Sequence, residues 1–317
     1  MALARPALLG ISWALAFVVL EAVQFVFFGN VFQRIDSFLF GALVFGITVL
    51  GFVGWTSWRH STELRHALAY PGQLWRINIT AVFAWIAYLG AVQLIEPAIA
   101  YTIGAGVMPI TAWLAYRMGV PEGEAMRNRA EALGVGVITL AILFLASITL
   151  SGGSGFVRGG SATAMLGIAL AIADGVFFTW LLIHCQRLDR RGVGPSTVFG
   201  LRFPLYVLIA AMLATAGVEQ KPALPPAELF WICLIGLILI IPPLYALQRA
   251  VALISTLTIG AITALGPFLI FALQVVEGRV AFATLTLVGL GLYSVGALLA
   301  AFGAVRGTAT AETEAGS

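Results

Sequence analysis

The chain has 317 residues, of which 61% are hydrophobic and only 10% charged, with a net charge of +3 and a mean hydropathy of +1.01. Soluble domains are typically about 45–50% apolar and about 25% charged, so the composition excludes a water-soluble core and calls for bilayer-spanning segments of about 20 residues each. The arginines are scattered between apolar runs, which leaves no nucleic-acid footprint, and the two cysteines, Cys185 and Cys233, fall inside apolar runs, which argues against a disulfide framework or zinc site.

The first apolar run, 7–33, is longer than the about 7–15 residues of a secretory leader and is read as a retained span carrying Trp13 and Glu21. Further spans are expected at 37–57, 76–94, 97–117, 131–150, 162–185, 197–217, 228–249, 254–276 and 281–304. Runs such as LAILFLAS (Leu140 to Ser147) lack the alternation of a transmembrane β-barrel strand, so the spans are helical. Trp55, Trp58, Trp75 and Trp231 sit at span boundaries, the positions of an aromatic belt.

Arginine and lysine placement then orients the bundle. With the N-terminus inside, the inner face receives Arg5, Arg59, Arg65, Arg76, Arg117, Arg127, Arg129, Arg187, Arg190, Arg191, Arg249 and Arg306, against Arg34, Arg158, Lys221 and Arg279 outside. Both termini are expected in the cytoplasm of a bacterial cell, with the polar residues 306–317 as a disordered tail.

A phrase recurs along this chain. AVQLI (Ala91 to Ile95) and AVALI (Ala250 to Ile254) are each followed by small residues, a proline (Pro109, Pro267) and a Glu-Gly pair (Glu122-Gly123, Glu277-Gly278). The phrase crosses the third-to-fourth junction in one half and the eighth-to-ninth in the other. Five spans per copy is an odd number, so the second copy enters the membrane inverted. The expected fold is an all-α membrane protein of ten transmembrane helices, arranged as two inverted five-helix repeats over 1–152 and 153–305.

That arrangement, with an acid after the fourth and ninth helices, resembles the drug/metabolite transporter superfamily and its EamA-type members. Trp13-Ala14 resembles the family's Trp-Gly, and Gly200-Leu201-Arg202-Phe203 its recurrent Arg-Phe. Gly134/Gly136 and Gly289/Gly291 fall where the family's fifth and tenth helices carry glycines. The chain departs from the pattern at Ala14, at Leu43, where the first-half arginine would stand, and at Glu21, near a position often basic in relatives. The resemblance implies secondary transport, often export, of small organic metabolites, amino acids and related compounds among them.

Glu21 and Asp174 are the acids deep inside expected spans, on the first and sixth helices. A charge at the bilayer centre costs about 2.5–3.5 kcal/mol on insertion scales, so such residues normally face a wet cavity or a partner. Their candidate roles are proton exchange, pairing with a cationic substrate group, or a structural hydrogen bond to a neighbour such as Gln24. Arg202, inside the seventh span, has three candidate roles: binding a substrate carboxylate, pairing with Asp174, or snorkelling to the interface. Trp13, Trp85, Tyr88, Tyr101, Trp113, Trp180 and Tyr245 are candidate cavity lining, with helix packing or lipid contact as the alternative. Pro109, Pro204, Pro242, Pro243 and Pro267 interrupt helices, and Glu122 and Glu277 are assigned to capping the helices that follow them.

An intramembrane enzyme fits less well. No H-E-x-x-H or phosphate-binding loop occurs, and His60, His66 and His184 accompany no nucleophile motif. No cofactor or metal is expected. The expected partners are a small-molecule substrate, the lipid bilayer and protons as a candidate coupling ion, in a monomer or homodimer.

Overall fold

The computed structural model describes residues 5–251, 253–254 and 256–315, with side chains from 8–247, 249–250, 253–254 and 258–304. The side chains of Arg5 and Arg306, used above for orientation, and the last two tail residues lie outside that description.

Thirteen helices run in chain order among the described residues: α1 (Arg5–Val31), α2 (Ser37–Arg59), α3 (Ser61–Leu68), α4 (Pro71–Leu94), α5 (Pro97–Arg117), α6 (Arg129–Leu150), α7 (Ser161–Asp189), α8 (Pro195–Leu201), α9 (Pro204–Thr215), α10 (Pro226–Val251), α11 (Thr256–Thr263), α12 (Gly266–Glu277) and α13 (Thr284–Ala315). They form ten segments long and apolar enough to cross a membrane. Among the described residues there is no strand, only an isolated bridge between Ile95 and Val157. The protein is a multi-pass helical membrane protein.

Four features differ, wholly or in part, from the sequence expectation. The third span begins at Pro71 rather than Arg76, because proline suits the first helical turn and the helix runs through polar Gln73, Arg76 and Asn78. The expected proline interruptions occur in the seventh span, broken before Pro204, and in the ninth, broken before Pro267, whereas α5 runs through Pro109 and α10 through Pro242 and Pro243. The short helix α3 was not anticipated. Its Glu63 accepts hydrogen bonds from the Gly194 N–H (2.7 Å) and the Thr197 hydroxyl, which tie it to the α7–α8 connection. Finally, α13 continues to Ala315, into the stretch expected as a disordered tail; three of residues 309–315 are alanine, the strongest helix former.

Packing follows short cross-connections. Helix α1 lies on α10, α4 on α7, α6 on α13, and α2 on α8 and α9, while α5 packs on α6 and α7 and α12 on α1 and α5. Glycine permits the tightest of these. A Cβ on Gly134 would stand 2.3 Å from the Ala300 nitrogen, and one on Gly289 would stand 2.4 Å from Leu145 Cδ2.

Each end of the bundle has its own polar clamp. In the α4–α5 turn, Glu96 is fully buried and takes hydrogen bonds from Gln274 Nε2 on α12, Thr286 Oγ1 on α13 (3.0 Å) and the Gly155 N–H (2.9 Å). Gln274 Oε1 in turn accepts the Ala98 N–H at 3.2 Å, capping α5 in place of Glu96. Burial pushes the Glu96 carboxyl above its ordinary range, against the pull of those hydrogen bonds. A second cluster at this end gathers Lys221, Glu219, Gln93 and Ser37. At the opposite end Glu122 joins Arg187 (2.9 Å) and Arg190 (3.2 Å) on and beside α7. The expected cap is absent there, since Asn128 caps α6 by accepting the Glu131 N–H. Glu277 is the last residue of α12 and accepts from Asn30, so it too binds a neighbour instead of capping the next helix.

Candidate functional site

Between these clamps lies a cavity of about 150 Å³, lined from α1, α4, α5, α7, the α8–α9 break and α10. Glu21, Asp174 and Arg202 all reach it, together with Trp85, Tyr88 and Tyr101. Six of the residues singled out in the sequence therefore converge on one space.

Asp174 is brought there by a close helix crossing. A Cβ on Gly175 would lie 2.4 Å from the Gly104 carbonyl oxygen, so α7 and α5 touch backbone to backbone at this level. The Asp174 carboxylate rests against Gly104, where an added Cβ would stand 2.9 Å from Oδ2. It has no hydrogen-bond or ion-pair partner among the described residues.

Glu21 is partnered weakly. The Tyr101 hydroxyl donates to its Oε2 at 3.3 Å. Gln24, the neighbour suggested by sequence, instead donates to the Tyr88 hydroxyl at 3.1 Å. Phe25 holds both tyrosines edge-on, with ring centroids 4.9 Å and 5.0 Å away. The Trp85 ring is fixed by Phe45 at 4.5 Å and by Tyr88, while its indole N–H has no partner among the described residues.

Arg202 is 9% exposed and lies in the interruption between α8 and α9. Its guanidinium carbon sits 4.2 Å from the Phe199 ring centroid and 4.6 Å from that of Phe203, a cation–π setting. It neither snorkels nor pairs with Asp174. No carboxylate partners it among the described residues, and its Nε is unsatisfied.

Four of the expected lining residues stand elsewhere. Trp13 packs edge-on against Tyr245 at 5.6 Å in a small separate cluster with Phe17, and Tyr245 is half exposed on the outer surface. Trp180 stacks towards His184 at 5.9 Å. Trp113 lies under Arg117 at the end of α5. Aromatic identity gives depth in a span but not the side of the helix, which explains all four placements.

The sequence reading missed Phe17 and Phe178 in the lining, and it missed Asn78. The Asn78 side chain on α4 donates to the Leu201 carbonyl (2.8 Å) and accepts the Leu205 N–H (3.0 Å), bridging the helix break that carries Arg202. An asparagine inside an expected apolar span was the available signal.

Towards the Glu96 end the space above the cavity is closed by fully buried side chains, including Phe28, Phe32, Phe40 and Ile99. Phe28 and Phe32 stack at 5.2 Å, with Phe40 edge-on to both. Towards the Glu122 end the lining residues Met108, Phe178 and Leu244 are only partly buried.

No family model matches the chain, and no curated protein matches it. Among solved structures, one described only as the crystal structure of a protein aligns over 95% of this chain and 98% of its own, with a TM-score of 0.59 and 22% identity. At that identity the likeness speaks for the fold alone.

Proposed function

We propose that this chain is a secondary transporter of small organic metabolites, built as an inverted repeat of the drug/metabolite transporter type and working by alternating access. The observation that carries the reading is the cavity between Glu21, Asp174 and Arg202, three ionisable side chains without a strong partner among the described residues. Buried charge is tolerated when something compensates it. A cargo with an anionic group for Arg202 and a cationic or hydrogen-donating group for Asp174 supplies that compensation, and the rings of Trp85, Tyr88, Tyr101 and Phe178 suit an apolar or aromatic body. Amino acids and related compounds have this chemistry.

Packing supports the repeat. Exchanging each span for the one five places away turns the α1–α10 contact into α7–α4 and the α5–α7 contact into that of the ninth span with α1, and both members of each pair exist. The recurring phrase does the same work twice. A Cβ on Gly10 would stand 2.5 Å from Ile254 Cγ2, and one on Gly167 would stand 2.5 Å from Ile95 Cγ2. The arginine-rich Glu122 end faces the cytoplasm in this reading, in the inner membrane of a bacterium, and the cavity is then offered to the cytoplasm, as export requires.

The reading is tested by a thermal-shift screen of metabolites on the purified protein. It expects zwitterionic compounds to raise the melting temperature and Arg202→Gln to remove the preference for an anionic group. Loss of one charge-assisted hydrogen bond costs about 1.5–3 kcal/mol, or about tenfold or more in affinity. A variant binding the same compounds unchanged would contradict the role given to Arg202.

A further inference from the structure

The break in the seventh span leaves more to explain than proline alone. In an unbroken helix the Leu205 N–H would bond the Leu201 carbonyl; Pro204 disturbs this turn because its ring crowds the carbonyl four residues earlier. The freed pair does not bond to each other. The Asn78 side chain from α4 enters the ladder between them, donating to Leu201 O at 2.8 Å and accepting from Leu205 N at 3.0 Å. Its Nδ2 also reaches its own helix, at Leu74 O, 3.0 Å away, so the amide is held from both sides. An inserted side chain is a recognised cause of a sharp kink. Arg202 is one of the residues spanned by this bridge, and its guanidinium reaches the cavity.

The first half of the chain offers an internal comparison. The register of the two AV-x-LI phrases, 159 residues apart, aligns Arg202 with Leu43, Pro204 with Phe45 and Asn78 with Leu237. Where the wedge, the proline and the arginine are all replaced by apolar residues, α2 runs unbroken from Ser37 to Arg59. The three features occur together where the third span meets the seventh, and are absent together where the eighth span meets the second.

We propose that Asn78 is a positioning residue for Arg202: by holding the seventh span open between Leu201 and Leu205, it makes the guanidinium leave the helix wall and face the anionic end of a ligand. This deepens the transport reading and rests on it for the identity of the ligand, but the positioning itself can be measured without any cargo. The probe is methylglyoxal, a small dicarbonyl that modifies arginine, with the adduct on each arginine followed by peptide mass spectrometry of the full chain in detergent. In the native protein Arg202 is modified through the cavity. In Asn78→Leu its modification slows by about tenfold, the scale on which small misplacements act, while Arg59 and Arg190 at the surface react unchanged. Asn78→Gln, which keeps both hydrogen-bonding groups, restores the rate. Equal Arg202 labelling in Asn78→Leu and the native chain overturns the proposal, and so does a glutamine variant as slow as the leucine one, since Asn78 then only fills space. A melting curve for each variant excludes unfolding as the cause. Failure of the transport reading shows up separately, as absence of flux in vesicles whatever the labelling result.

Discussion

Asp174 and Glu21 share the cavity but not a role. Asp174 is free of protein partners among the described residues, whereas Glu21 takes a hydrogen bond from Tyr101, which in turn packs on Phe25. Replacing Asp174 by asparagine removes the one unpartnered carboxylate facing the cavity among the described residues and is expected to weaken ligand binding by about tenfold or more. Tyr101→Phe, which frees Glu21, is expected to leave binding of the same ligand within about threefold, the effect of a modest net hydrogen bond. Titration followed by intrinsic tryptophan fluorescence, to which Trp85 in the cavity contributes, would report both, and equal losses in the two variants would contradict the division. These ionisable residues were legible in the sequence because a charge within an apolar span is costly and therefore conspicuous. Glu96 was not, since an acid in a turn between two spans looks solvated until Gln274, Thr286 and Gly155 are seen around it.

At the scale of elements, hydropathy located the ten spans well, because a helix must carry about 20 apolar residues to cross. It was blind to what happens inside them. Only Pro204 and Pro267 marked the breaks, and the start of α4 was hidden by Gln73, Arg76 and Asn78, of which Gln73 and Asn78 find backbone partners on other helices. In the proposed repeat, the Gly10 and Gly167 contacts would align Asp174 with Phe17 and Glu21 with Phe178, which puts the acids one helical turn apart in register; Phe17 and Phe178 also line the cavity. The α5–α7 crossing is the element that holds Asp174 in place. Gly175→Val would force a branched side chain into the Gly104 carbonyl, and overpacking of this kind costs about 1–3 kcal/mol. A fall in melting temperature together with loss of ligand binding is expected; an unchanged melting curve would mean that the helices do not touch at this level.

The whole molecule is clamped differently at its two ends. The hydrogen bond from Arg187 holds the Glu122 carboxyl below its ordinary range. A lowered folded-state value means that the stabilisation is present above pH 4.5, the ordinary value, and is lost as pH falls through the lowered one. Protection of residues 118–128 from hydrogen exchange, relative to the intrinsic rate at each pH, should therefore fall on acidification below that range, and Arg187→Gln should be poorly protected at every pH. Closure of the Glu96 end by Phe28, Phe32 and Phe40 predicts one-sided access to the cavity. With Cys185 and Cys233 replaced by serine, a cysteine at Met108 should react with a membrane-impermeant maleimide from the Glu122 side of oriented vesicles and not from the Glu96 side. Reaction from the Glu96 side alone would reverse the assignment.

Whether this cavity carries a cargo across the membrane is decided by counterflow. Vesicles containing the purified protein are loaded with the most stabilising metabolite of the thermal screen, and entry of labelled metabolite is followed without any imposed gradient. Transport through the cavity predicts transient accumulation by the native protein and none by the Glu21→Gln, Asp174→Asn double variant, with both proteins equally folded. Equal accumulation by the two proteins, or none by the native one, would contradict it.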